Sequence, residues 1–230
     1  MIRYFAPILL AAALATPAHA EPRSIQGFTG VRAEDHLRVE IVEGPQFSVD
    51  IAGRDARRIQ TRIVEHNTLE IRDRNRPWLG DGPRLDAVIR IAMPNLEEVT
   101  VARGADLTAT LSSDCRSLEA VAAMGGTAHV NGIACHSVSA VAAMGGELQL
   151  VGACGDLDVT AAMGGSVDAR ALQCQTVDAT ASMGGDIRSY ASNSYDGTAA
   201  MGGSIDVAGE GRRGDTTAVM GGSVDHHATN

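Results

Sequence analysis

Lysine is absent from all 230 residues, so each of the 19 basic side chains is an arginine. β-Helical carbohydrate lyases rely on basic catalytic groups and long insertions, and the second half of this chain has neither. No Ser, His and Asp stand at nucleophile-motif spacing either. The sequence therefore names no catalytic residue and no cofactor. Long apolar runs are also missing beyond the N-terminus, because Gly, Asp or Ser interrupts every hydrophobic stretch. A membrane-crossing helix needs about 20 apolar residues, so no transmembrane segment is expected in the mature chain. No cysteine lies near the start, which removes the attachment point for a lipid anchor.

The first residues have the layout of an export signal. An apolar stretch runs from Phe5 to Leu14, and Ala18-His19-Ala20 has the small-x-small form of a cleavage site. Residues 1–20 are read as a signal peptide, residues 21–95 as an N-terminal β-strand region, and residues 96–230 as repeats. The expected location is outside the cytoplasm: periplasmic, envelope-associated or secreted. Charge is uneven along the mature chain. Residues 21–103 carry 13 Arg against 14 acids, whereas residues 104–230 carry 5 Arg against 14 acids, a balance of -9. Such a surface repels nucleic acid and favours basic or cationic partners.

Met-Gly-Gly recurs at Met124, Met144, Met163, Met183, Met201 and Met220, in steps of 20, 19, 20, 18 and 19 residues. A unit this short cannot bury a hydrophobic face alone, and a fixed period near twenty marks a solenoid whose coils cover each other. A helix is excluded, because two adjacent glycines would cost it about 2 kcal/mol and the apolar spacing is two. The chain is expected to be all-β: a right-handed parallel β-solenoid, or β-helix, with an N-terminal β-meander region. Six coils at about 4.8 Å each make a rod roughly 30 Å long.

Counting outward from each Met assigns the faces. The position two before it is Ala in every coil, from Ala122 to Ala218. With Leu118, Ala120 and Ala128 and their equivalents, these alanines read as inward, giving a narrow core of Ala, Val, Leu and Met. The intervening positions are polar and read as outward. The glycine pair supplies a corner that demands positive φ or close backbone approach.

Upstream, alternation places strands at His36–Val42, Phe47–Ile51, Ile59–Val64, Leu69–Ile71, Ala87–Ala92 and Val99–Val101, with turns at Gly44-Pro45 and His66-Asn67. Residues 72–85 break the pattern and read as an exposed loop. Arg72, Arg74, Arg76 and Arg84 around Trp78 form a candidate contact patch for sugar or acidic polymer, weighed against a plain polar loop.

Cys115, Cys135, Cys154 and Cys174 each lie nine residues before a repeat Met, so they share one register. Stacked neighbours fall inside the Cα range for disulfides, and an exported protein meets oxidising conditions. Only neighbours can bond: Cys115 with Cys135 and Cys154 with Cys174, or a single central pair. A file of reduced, packed thiols is the alternative. Asp158, Asp178, Asp196 and Asp215 form a ladder of like charges, either screened by solvent and salt or bridged by a hard cation such as Ca²⁺. The Thr ladder beside it offers a flat array for ice or glycan. His226 and His227 read as a surface pair rather than a metal site. The last coil shows no cap, so end-to-end self-association is an open route.

Three stretches carry a family likeness: Val39 to Ile51 with Gly44-Pro45, Ile59 to Ile71, and Val88 to Leu107 with Pro94, Leu96 and Gly104-Ala105-Asp106. Together they resemble the putative auto-transporter adhesin "head GIN" domain family of bacterial envelope proteins, over roughly residues 27–210. That resemblance implies an exported β-solenoid with no established activity and no defined site residues. The resulting expectation is a non-enzymatic, envelope-associated module, adhesin-like or structural, whose partner is an envelope protein or polysaccharide. The alternatives are a carbohydrate-active β-helix enzyme and a cation- or ice-binding solenoid.

Overall fold

The computed structural model describes residues 21–75 and 84–228. Nine strands precede the repeats: β1 (Glu21–Pro22), β2 (Gly30–Ala33), β3 (Arg38–Glu43), β4 (Ser48–Ala52), β5 (Ile59–Val64), β6 (Thr68–Asp73), β7 (Val88–Met93), β8 (Glu98–Ala102) and β9 (Asp106–Thr110). Eight build the repeats: β10 (Cys115–Ala123), β11 (Thr127–Ala143), β12 (Glu147–Ala162), β13 (Ser166–Ser182), β14 (Asp186–Ala200), β15 (Ser204–Ala208), β16 (Arg212–Val219) and β17 (Ser223–His227). All repeat strands pair in parallel, coil on coil, and the chain is a β-solenoid. Ala122, Ala142, Ala161, Ala181, Ala199 and Ala218 form one continuous register. A second register runs through Thr127, Glu147, Ser166, Asp186, Ser204 and Ser223 on the far side of the corner.

The uneven steps between methionines arise chiefly at the bends. Each long strand bends partway round its coil, and register shifts fall there, between Val130 and Ile133, between Gln149 and Val151, and between Ala169 and Gln173. An extra or missing residue is absorbed at that bend. The straight side leading to each corner keeps its register from Ser117 to Ala123 and its equivalents as far as β14, and the step to the last corner is set on that side, by a shift between Tyr195 and Gly197. A bulge bends a strand at little cost to the ladder on either side of it.

The corner itself is a tight turn of the type I′ kind. Every repeat Met has φ between 48° and 51°, and the glycine after it has φ between 72° and 81°. The second glycine donates its amide to the residue before Met, as in Gly126 N to Ala123 O at 2.9 Å and Gly165 N to Ala162 O at 3.0 Å. Two positive φ values in succession match the right-handed twist of the flanking strands. The two glycines serve different ends. A Cβ on the first would meet nothing, so positive φ alone selects it; a Cβ on the second would overlap the backbone of the coil before it. At Gly146 and Gly165 the obstructing atom is the carbonyl oxygen of the inward alanine, Ala122 or Ala142.

This turn corrects one expectation. The methionines are not core residues: Met124, Met144, Met163, Met183 and Met201 are 47–50% exposed and Met220 is 79% exposed. Strand alternation stops at the residue before Met, where the turn begins, and the left-handed backbone turns the side chain out. The remaining inward positions are buried through the fifth coil, Ala120, Ala140, Val159 and Ala179 among them. In the last coil Gly214 and Ala218 are exposed. No further coil covers them among the described residues.

β3 to β8 occupy the expected segments, β1, β2 and β9 are additional, and the N-terminal strands stack out of chain order. β2 lies parallel between β6 and β8, and β3 lies parallel between β7 and β9. The β2–β3 coil is therefore second in the stack, above β6–β7. β5 and β6 form the hairpin expected at His66-Asn67, with φ of 60° and 54° at its tip. β3 and β4 do not pair with each other, because β7 lies between them, parallel to one and antiparallel to the other. Antiparallel β4 and β5 thus cover the edges of the lowest coil, and β1 pairs with β4. Larger side chains fill this end, including Phe28, Leu37, Ile59 and Leu96.

The two corner glycines should respond differently to a methyl group. Gly164→Ala keeps an open surface and bears only the left-handed penalty, about 1 kcal/mol. Gly165→Ala drives a Cβ into backbone and should cost about 3 kcal/mol. Urea denaturation of the two variants measures the difference, and equal losses would contradict this division of roles.

Candidate binding face

The straight side before each corner is the longest regular surface of the chain. Five residues before Met, Glu119, Ser139, Asp158, Asp178 and Asp196 point outward in sequence up the rod, and Glu119 to Asp178 are mutually in register. Asp178 pairs in register with Asp196 as well, and Asp196 accepts the backbone amide of Asp215 at 2.6 Å. Two residues on, Val121, Val141, Thr160, Thr180 and Thr198 make a second, uncharged file. The lower part of the acidic file opens into a groove of about 410 Å³. Glu97 and Glu98 form its near wall, and Glu119, Asp156 and Asp158 its floor.

The acids on this side differ from those beyond the corner. There, Arg170 binds Asp168 with Nε to Oδ1 at 3.0 Å, and Arg188 Nη2 lies 3.3 Å from Asp186. On the straight side, among the described residues, none of Glu119, Asp158, Asp178 and Asp196 has an arginine partner. Electrostatics follow the same division. Burial raises the Asp178 carboxyl above its usual range, and repulsion from Asp158 and Asp196 adds to it. The hydrogen bond from Arg170 holds Asp168 below that range, against the opposing effect of burial. No cluster of three or more His, Cys, Asp or Glu suited to a metal ion occurs among the described residues.

The arginine patch is only partly covered by the structure. Arg76 and Trp78 lie outside the described residues. Arg72 is tied into the β5–β6 hairpin, donating Nε to Gln60 Oε1 at 3.2 Å with Glu70 at 3.6 Å. Arg74 is exposed just after β6, and Arg84 lines a separate pocket with His36 and Gly104. The described arginines thus point to different neighbours.

The cysteine file lies inside the bend. Cys115 is joined to Cys135 and Cys154 to Cys174, with Cα separations of 4.4 and 4.5 Å. Each bridge links consecutive coils across 20 residues, a loop length for which chain entropy gives about 3 kcal/mol of stabilisation. His226 and His227 are split between different partners. His226 Nε2 lies 3.0 Å from Gly209 O with its ring 5.1 Å from that of Tyr195, while His227 lies 3.5 Å from Asp206.

A solenoid with one long, regular, polar side and no deep cavity on it is the architecture of a surface-binding domain. Residues 27–211 match the family described as putative auto-transporter adhesin, head GIN domain, and the chain belongs to that family. Among solved structures it is similar to a putative adhesin from Bacteroides fragilis, at 17% identity and a TM-score of 0.78, covering 92% of this chain and 96% of that one. It is also similar to a putative lipid binding protein from Parabacteroides distasonis, at 14% identity and a TM-score of 0.62, covering 91% and 96%. A putative adhesin from Parabacteroides merdae shares the fold at 10% identity and a TM-score of 0.56, covering 91% and 96%. No curated protein matches the sequence. Among the described residues no helix is long and apolar enough to cross a membrane.

The unpaired acid file has a measurable consequence. Because the Asp178 carboxyl is raised in the folded chain, the folded state holds its proton more readily than the unfolded state. Its ionised form therefore destabilises the fold above the folded-state value, and the effect disappears below the unfolded value near 4. Asp178→Asn should raise stability at pH 7 in low salt by about 0.5 kcal/mol, and the gain should vanish on acidification and shrink in high salt. Melting curves across pH test this; a loss of stability at pH 7 would contradict it.

Proposed function

We propose that this chain is a non-catalytic, exported, envelope-associated binding module that holds a basic partner, protein or polysaccharide, along its straight acidic side. The observation that carries the reading is the contrast between the two acidic surfaces. Beyond the corner Asp168 and Asp186 have arginine partners and Asp206 lies beside His227, whereas among the described residues Glu119, Asp158, Asp178 and Asp196 have no arginine partner. Leaving like charges stacked costs stability, and a cationic partner would recover that cost on binding. The adhesin descriptions of the family and of its solved relatives support a binding role. A lipid ligand fits this side poorly, since anionic headgroups would be repelled from it.

The test compares two variants with the same change in net charge. One is Asp158→Asn/Asp178→Asn/Asp196→Asn on the straight side; the other is Asp168→Asn/Asp186→Asn/Asp206→Asn beyond the corner. Calorimetric titration with chitosan oligomers and with an arginine-rich peptide should show about tenfold weaker binding for the first variant and little change for the second. Equal weakening would mean that only bulk charge matters and would overturn the reading, as would cleavage of a polysaccharide panel by the unmodified chain.

A further inference from the structure

The six exposed methionines are explained by neither the turn nor the core. Position two of a type I′ turn favours Asn, Asp or Gly, which tolerate positive φ. This chain uses such a residue elsewhere, at Asp35 with φ 64°, and the corner one coil below Met124 has Arg103 at that position with φ 55°. At the six repeat corners it instead places an unbranched side chain in the left-handed region, at about 1 kcal/mol each. Burial does not compensate, because five of the six are about half exposed and Met220 more so. Packing alone would be served equally by Leu, which occurs at inward positions but never here. The nearest outward register after the glycines varies: the position three after Met reads Thr127, Glu147, Ser166, Asp186, Ser204 and Ser223. What remains invariant is a thioether.

The backbone fixes the spacing of those thioethers. Gly125 N donates to Met144 O, Gly164 N to Met183 O, Gly184 N to Met201 O and Gly202 N to Met220 O, each at 3.2 Å. The corners are thus rungs of the ladder, holding successive methionines at the strand separation of about 4.8 Å. Two soft sulfur donors on opposite sides of one soft metal ion span about the same length. Thioether sulfur is a soft, neutral donor that selects soft monovalent ions such as Cu(I) and leaves hard cations in water. A neutral ligand pair leaves the ion its positive charge, and the surplus of acids over arginines in the repeats favours that charge. At the lower end of the file, Met124 shares a pocket of about 450 Å³ with His36, His129, Asp106 and Arg84, the two imidazoles being further donors and the guanidinium an opposing charge.

We infer that the Met-Gly-Gly edge is a linear binding site for soft monovalent metal ions, Cu(I) or Ag(I), held between thioethers of successive coils. Binding is pure lone-pair coordination, with no electron transfer and no bond broken. The inference is independent of the acidic side, which lies on a different register.

The probe is Ag(I), which has the coordination preferences of Cu(I) without its oxidation chemistry. It is added to the mature, disulfide-intact chain, first shown to contain no free thiol. Methyl-¹³C methionine NMR should show the repeat methyl signals moving on Ag(I) addition while buried Met93 stays fixed, with saturation near one ion for each adjacent pair. Ca²⁺ should leave all of them unchanged. Met144→Leu/Met163→Leu/Met183→Leu/Met201→Leu keeps an apolar edge and separates Met124 from Met220. It should lose most of the bound ions and bind the rest at least about tenfold more weakly. Unmoved repeat methyls in the unmodified chain would overturn the inference without recourse to any variant. Equal uptake by the leucine variant would overturn it too, and would leave the edge as an apolar stripe.

Discussion

Each second corner glycine lets one coil rest directly on the backbone of the coil before it, and the other regularities of the chain follow from that contact. With no Cβ at Gly146 or Gly165, the turn closes against the carbonyl of Ala122 or Ala142. Coils are then separated by the hydrogen-bond spacing of a sheet at the corner as well as along the strands. The interior becomes narrow beside the corner, which is why alanine occupies the inward position two before Met in every coil and only Ala, Val, Gly or Thr the one before that. Length variation is pushed mainly to the bend on the other side, where a bulge can absorb it, with one further shift between Tyr195 and Gly197 at the last coil. Equivalent residues must then stand in files, whatever their chemistry.

Those files turn a repeated sequence into surfaces. On the straight side they align carboxylates whose mutual repulsion shows in the raised Asp178. Beyond the corner they align carboxylates with arginines on the same strand, Arg170 two residues after Asp168 and Arg188 two residues after Asp186, which lie close enough to neutralise them. Along the edge they align sulfur. One geometric rule therefore yields an acidic side without arginine partners, a side where two carboxylates have them and a thioether edge, and the first is the surface on which the binding role rests.

Much of the solenoid was legible because its period is short and its alternation regular. The inward file of Ala122 to Ala199, the outward file of Asp158 to Asp196 and the stacking of the four cysteines could all be counted from Met. The methionines themselves were misread, since alternation was carried one residue too far, into the turn. The signal was present: a glycine pair marks a tight turn with positive φ, and such a turn takes its first residue out of the strand pattern. The N-terminal stacking was not legible. Alternation in Val39–Ile41 or Ile89–Ile91 marks a strand but not its partner, and here β2–β3 inserts between coils that follow it in the chain. Nor could residue types separate paired from unpaired acids, because that depends on whether an arginine falls on the same face of the same coil.

The account depends on the corner being part of the hydrogen-bonded ladder rather than a solvent-exposed loop, and amide hydrogen exchange tests this residue by residue. The amides of Gly125, Gly164, Gly184 and Gly202 each donate to the methionine carbonyl of the next coil. They should exchange as slowly as amides in the strands beside them, while Gly221, with no further coil to receive it among the described residues, should exchange quickly. Fast exchange at all five glycines would mean that the corners do not stack, and the alignment of every file described above would lose its basis.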